Sequence, residues 1–283
     1  MNTKSVSIYI PAYNAEKTIK HSLESIKNQT YQFDEIIVIN DNSTDFTKNV
    51  VKEFNDVNII NNSNNKGLGY NRNLGMKSSS HQIVASIDAD VVLEKNWLEV
   101  MIQNFEQSEN IICGGKMIEE LIQNKFNAWR AKYYSQNWGN KSFENPPFLY
   151  GCNTIQHKSV WDTVNGYDES LHTNGEDIDY SNKIKGYQHL KMRYCSDALA
   201  KHLQDDNLNT LSNRVWRYHS FGYKIKKPSF YKTLKLSLKQ LKFFFQRSFQ
   251  NLIKFEFSFI SINFAILIKF IVLEHSYYKK LRK

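Results

Sequence analysis

Cysteine is scarce in this chain of 283 residues. Cys113, Cys152 and Cys195 are far apart, odd in number and form no Cys-X-X-Cys pair. A disulfide framework is thereby excluded, no zinc site is suggested, and buried thiols in a reducing compartment are the expectation. Too few residues precede the first strand-like run to hold the apolar core of a signal peptide, so the expected location is the cytoplasm. The glycines of residues 64–75 lack the Gly-Lys-Ser/Thr ending of a P-loop. Acid is short in one region only: residues 224–283 hold 14 of the 37 basic residues but only Glu256 and Glu274 of the 28 acidic ones, a net +12 against −3 for the rest. That basic region contains no recognisable nucleic-acid module and is rich in Phe, Leu and Ile, which points to an anionic membrane surface rather than to nucleic acid.

What is present suits one large domain, or a domain with an appendage, and an aromatic content of 14% argues against disorder. Residues 6–10, 36–39, 58–60 and 83–87 are short runs rich in Val and Ile. They alternate with stretches of helical spacing such as Ile19, Leu23 and Ile26, and Asn14 stands where it would cap the first helix. This β-α-β-α-β rhythm predicts an α/β fold with parallel strands and right-handed crossovers, the first strand ending before Pro11. The fourth run ends in Asp88 and Asp90, two carboxylates where open α/β sheets bind ligands. Spaced by one residue, they suit a divalent cation and a ribose hydroxyl, although Asp is also a favoured turn residue.

Further along, residues 64–75 combine flexible backbone with Lys66 and Arg72, chemistry suited to a diphosphate or to a plain Gly-Leu-Gly turn. Residues 119–147 carry Phe126, Trp129, Tyr133, Tyr134, Trp138 and Phe143, rings that either stack on sugars or cover a sheet edge. Glu176, Asp177 and Asp179 gather at a helix start, where acids also serve the helix dipole. His202 follows a strand-like run at 190–194.

Taken in order, Pro11-Ala12-Tyr13-Asn14, Asn40-Asp41-Asn42-Ser43-Thr44-Asp45, Lys66-Gly67 through Arg72-Asn73, Gly75, Asp88-Ala89-Asp90, Gly151 with Asn153, Gly166-Tyr167-Asp168 and Gly175-Glu176-Asp177-Ile178-Asp179 resemble the family 2 glycosyltransferases, inverting enzymes with the GT-A fold. The resemblance runs from about residue 6 to residue 202. It implies a Rossmann-like, mainly parallel sheet flanked by helices, and a nucleotide-sugar donor, UDP-linked by analogy. Pro11, Tyr13, Asn14, Asp41, Lys66, Arg72 and Asp88 would contact that donor, with Arg72 against the nucleotide. Asp90 and His202 would hold Mn2+ or Mg2+, and Asp177, or else Glu176, would be the base. Trp129, Trp138 and Asn153 would face a saccharide or lipid-linked acceptor in cell-surface glycan synthesis. Asn40 departs from the family's usual first acid, and Lys183 or Lys185 stands where an Arg often follows Glu-Asp.

The expected division is a catalytic domain at 1–223, with a nucleotide-sugar half (1–117) and an acceptor half (118–223), and a helical basic and apolar appendage at 224–283. Leu234, Leu238, Leu241 and Phe245 recur at helical spacing beside lysines, as in a helix lying in a membrane interface. Residues 255–273 are long enough to lie in one leaflet, to span, or to pack on the catalytic domain. The expected location is therefore peripheral, at the inner face of the cell membrane. Two rivals remain: a sugar nucleotidyltransferase, which would need a Gly-rich loop after the first strand, and a non-catalytic sugar-nucleotide sensor or membrane recruiter.

Overall fold

In a computed structural model, which describes residues 4–105, 110–221 and 229–280, the Val- and Ile-rich runs become strands and the stretches between them helices. The chain begins β1 (Val6–Ala12), α1 (Ile19–Lys27), β2 (Glu35–Asn40), α2 (Thr47–Val51), β3 (Val57–Asn61), α3 (Leu68–Ser78) and β4 (Ile83–Ile87). It continues through β5 (Val91–Leu93), α4 (Trp97–Phe105), β6 (Ile111–Glu119), α5 (Lys125–Tyr133), β7 (Phe143–Glu144), β8 (Asn153–His157), α6 (Lys158–Thr163), α7 (Glu176–Lys185) and β9 (Lys191–His202). Three helices follow: α8 (Leu208–Phe221), α9 (Phe230–Ile253) and α10 (Phe257–Lys280).

The strands form one sheet in the order β3-β2-β1-β4-β8-β6-β9-β5, with β7 also on β9. β3, β2, β1 and β4 are parallel neighbours. β8 is inserted antiparallel between β4 and β6, β6 and β9 run parallel, and β5 and β7 pair antiparallel with β9. The sheet is mixed, with its parallel half in front as expected. Every residue of β1 is buried. Val6, Ile8, Ile10 and Ala12 pack on one face with Leu23 and Ile26 of α1, while Tyr9 packs on the other with Ile37, Ile39, Met76 and Val84. Val6, Ile8 and Ile10 alternate with Ser7 and Tyr9 in the sequence, yet both sets are buried because the strand is covered on both faces.

Two boundaries differ from expectation. β1 runs through Pro11 because Ala12, not Pro11, bonds towards β2, where its carbonyl accepts from the Asp41 amide. Pro11 therefore faces β4, whose ladder with β1 ends at Tyr9–Ser86, so its missing N–H forfeits nothing. Asn14 does not cap α1; that position belongs to Thr18.

Packing divides the chain into a sheet unit, Met1–Glu120 with Gln136–Leu203, and a helical unit, Leu121–Ser135 with Gln204–Lys283. The expected boundary at 223/224, like Lys224, Lys226, Lys227, Arg282 and Lys283, lies outside the described residues. α5 and α8 join the tail helices because Trp129, Leu211 and Val215 share one apolar core with Leu236, Phe244, Ile262, Ile266 and Phe270. The expected divide at 117/118 falls inside β6. α10 is long and apolar enough, by length and composition, to cross a membrane. Its inner face packs within the helical unit, on α5, α8 and α9.

Candidate active site

The site is built on the carboxyl ends of the sheet strands. β4 delivers Asp88 and Asp90, and β9 ends at His202, whose partner in the ladder is Val91 of β5. The Leu203 amide donates to the Asp90 carbonyl (2.8 Å), and the Val91 amide turns back to that of Asp88. These bonds fix both carboxylates on short, anchored backbone. Opposite, Gly175 in the left-handed region (φ 89°) lets α7 start with Glu176, Asp177 and Asp179 in its first turn, where acids complement the helix dipole.

Arg72 of α3 ties these pieces together. Its side chain is 2% exposed, and its guanidinium donates to Asp88 (3.0 Å), Glu176 (3.2 Å), Ser86 Oγ (2.9 Å) and the Gly151 carbonyl (2.7 Å). Burial disfavours the cation, but Asp88 and Glu176 outweigh it and hold the guanidinium protonated. Gly151 leaves the space: a Cβ there would sit 3.0 Å from the guanidinium carbon. Nearly sealed in, Arg72 spends its fork on protein acceptors and so positions the carboxylates.

The four acids are not equivalent. Glu176 is buried, and burial, then the charge of Asp177, pushes its carboxyl up to about 7 against the pull of Arg72. Asp177 is half-buried; its carboxylate accepts from the Ile178 amide (2.8 Å), and burial raises it above the ordinary Asp value against Arg72 and the amides of Ile178 and Gly151. Asp88 keeps 32% of its side-chain surface open. Burial of its carboxyl still raises it, Arg72 opposing and Asp90 adding.

His202 stands between two carboxylates. Nε2 lies 3.3 Å from Asp90, and Nδ1 is 3.1 Å from both oxygens of Glu119, its register partner on β6. Burial works against the imidazolium, but Asp90 and Glu119 hold it at about 9. The donor set would suit a divalent cation that displaces the ring proton: the half-buried Asp90 carboxylate and Nε2 converge, and Glu119 orients the ring from behind, as carboxylates do for metal-bound histidines. Among the described residues no group of three or more His, Cys, Asp or Glu side chains is placed to hold a metal alone. A cation on Asp90 and His202 would therefore complete its coordination with ligand oxygens. Glu119 was not foreseen; only strand register reveals it.

The loops after β1 and β2 are laced together. The Asn14 amide donates to Ser43 Oγ (3.0 Å), and its Oδ1 accepts from the Thr44 amide (2.8 Å), with Asn14 at φ 50°. Tyr13 is exposed beside them. Lys66 is half-buried, its ammonium 5.8 Å from the centre of the Tyr70 ring. Two residues expected at the donor are buried. Pro11 is buried inside β1. Asp41 is buried and accepts from the amides of Lys66 (2.8 Å) and Gly67 (2.9 Å) and from Asn62 Nδ2 (2.7 Å), so it shapes the 65–67 turn.

The three expected acceptor residues differ in exposure. Trp129 is fully buried in the helical unit, its Nε1 donating to Asn263 (2.8 Å), so it presents no face to a sugar. Asn153 is buried too, accepting from Trp97 Nε1 (2.8 Å) and donating to the Lys116 carbonyl (3.3 Å). Trp138 alone keeps some surface, packed against Phe148 and Tyr150. A cavity of about 490 Å³ bordered by Tyr70, Lys77, Trp161 and Asp162 takes in none of the four acids.

Residues 7–164 match the family described as Glycosyl transferase family 2. The chain is 29% identical over 212 residues to an uncharacterized glycosyltransferase of Haemophilus influenzae, covering 71% of this chain and 66% of that protein. It is 38% identical over 104 residues to the UDP-Glc:alpha-D-GlcNAc-diphosphoundecaprenol beta-1,3-glucosyltransferase of Escherichia coli, covering 36% and 41%. The chain thus spans less than two thirds of the length of these relatives. In fold it is similar to a mannosyltransferase from Pyrobaculum calidifontis in complex with GDP-Man and Mn2+, with a TM-score of 0.63, 15% identity and coverage of 95% and 86%. The sheet is that of the GT-A fold, the family match covers more than half of the chain and includes Arg72, Asp88 and Asp90, and the chain therefore belongs to glycosyl transferase family 2.

Proposed function

We propose that the chain transfers a sugar from a nucleotide-sugar donor, UDP-linked in first place, to a hydroxyl of a saccharide or lipid-linked saccharide, with inversion at the anomeric carbon. The observation that carries this reading is the Arg72-centred cluster, in which one buried cation holds Asp88 and Glu176 while Asp88, Asp90 and Asp177 keep open surface. In such a site the Asp177 carboxylate accepts the proton of the acceptor hydroxyl as that oxygen attacks the anomeric carbon, and the carbon–oxygen bond to the diphosphate breaks on the opposite face. A single displacement of this kind inverts the centre. Glu176, buried and paired with Arg72, positions its neighbour. Asp88 is open to a ribose hydroxyl, and Tyr13, Asn14 and Lys66 border the donor. Asp90 and His202 would hold a divalent cation, Mn2+ or Mg2+, which when bound supplies charge neutralisation for the departing diphosphate.

The names of one relative and one fold neighbour support the setting: the relative acts on a diphosphoundecaprenol-linked sugar, and the neighbour holds GDP-Man with Mn2+. A lipid-linked acceptor would place this protein at the inner face of the cell membrane, in cell-surface glycan synthesis. Melting curves with a panel of UDP- and GDP-sugars, each with and without Mn2+ or Mg2+, test the reading. One nucleotide sugar should raise Tm only with the cation present, and no shift with any pair would overturn the assignment.

A further inference from the structure

Building on the reading that the enzyme works beside a lipid-linked acceptor, the structure's outer helices identify how it would meet the lipid. α9 has three faces. Thr233, Leu236, Gln240, Phe244, Ser248 and Asn251 are buried in the helical unit. Leu234, Leu238, Leu241, Phe245, Phe249 and Leu252 recur every three or four residues and are all exposed. Lys235, Lys239 and Lys242 each follow one of those leucines by one position, about 100° around the helix, and are exposed as well. α9 carries five basic residues and no acid. An apolar stripe bordered by cations complements an anionic lipid surface, and a soluble monomer rarely leaves such a patch bare.

The stripe continues onto α10. Phe245 and Phe264, 52% and 43% exposed, meet edge to face at 5.8 Å, and Ile268 and Ile271 extend the exposed row. At the corner between the helices Phe255 is 78% exposed and sits at φ 57°, a conformation that glycine or asparagine adopts more cheaply. It lies beside the exposed Phe257, ring centres 6.3 Å apart. The opposite face of α10 is committed inward. Asn263 is bonded to Trp129 and Ser248, and Glu274 accepts from Trp216 Nε1 and Ser220 Oγ, both at 2.9 Å. Crossing a bilayer would strip Asn263 and Glu274 of these partners.

We propose that α9 and α10 lie side by side in the plane of an anionic bilayer, with the stripe from Leu234 to Ile271 and the Phe255–Phe257 corner in the headgroup and acyl boundary, and that α10 does not span. Flotation of the full chain with phosphatidylcholine vesicles, with and without phosphatidylglycerol, reads binding with no donor or acceptor present, so it stands apart from the transfer reading. Anionic lipid should tighten binding roughly tenfold or more. The exposed double substitution Leu238→Gln with Phe245→Gln should weaken it by at least roughly tenfold at unchanged Tm. Phe257→Trp and Ile271→Trp, about 21 Å apart along α10, should be quenched equally and only by lipids brominated near the headgroup. No flotation with either vesicle, deep quenching at one of the two positions, or self-association that the double substitution abolishes in place of vesicle binding would each overturn the proposal.

Discussion

At Glu176 and Asp177, adjacent acids of one helical turn differ in exposure because α7 turns one inward to Arg72 and leaves the other half-buried. A carboxyl raised to about 7 favours its protonated form in the fold, so its contribution to stability declines as pH rises from the unfolded value near 4.5 through 7. Glu176→Gln should therefore gain in Tm relative to the parent between pH 5 and pH 8; an unchanged difference would refute the burial argument. His219 has the opposite dependence. Burial, then Arg247, lowers it from 6.5 to about 4, so stability is full above about 6.5 and is lost as pH falls towards 4. Up to about 3 kcal/mol is at stake, and His219→Phe should flatten the acid limb of a Tm against pH curve. Asp88, Asp90, Glu176 and Asp177 came forward as candidates in the sequence through the order and spacing of the motifs that hold them. The burial of Trp129 and Asn153 was not legible there, since a ring or an amide on a chain of unknown fold reads equally as surface or interior.

At the scale of elements, α3 matters because it carries Arg72, and its seat on β1 depends on Gly75. A Cβ at that position would lie 2.3 Å from the buried Tyr9 ring. Gly75→Ala should cost about 1 to 3 kcal/mol by overpacking and should weaken donor binding as Arg72 shifts; urea unfolding and the donor melting shift measure the two effects. The parallel strands β1 to β4 were visible as β-branched runs. β8 was not, because Asn-Thr-Ile-Gln-His reads as a polar loop and becomes a strand only by insertion between β4 and β6. β9 ran past its expected end to His202, since polar residues alternate along it once its ladder with β6 is formed.

For the molecule as a whole, the contrast between a slightly acidic body and a basic, apolar tail was plain in composition. That α5 and α8 fold with the tail was not, because only contacts distant in sequence join Trp129 to Phe244 and Asn263. The sheet unit carries the carboxylates and the helical unit the apolar stripe, so substitutions in one should leave the other's property intact: vesicle binding should survive Asp90→Ala, which should abolish cation-dependent donor binding. The account rests most heavily on Asp177 as the base of a nucleotide-sugar transferase. The direct test is turnover and donor Kd of the Asp177→Asn protein beside the parent, with the donor and cation selected by the melting shift. The account predicts an unchanged Kd and a turnover lowered about 10²- to 10⁴-fold, whereas near-parental turnover with the donor bound would contradict it.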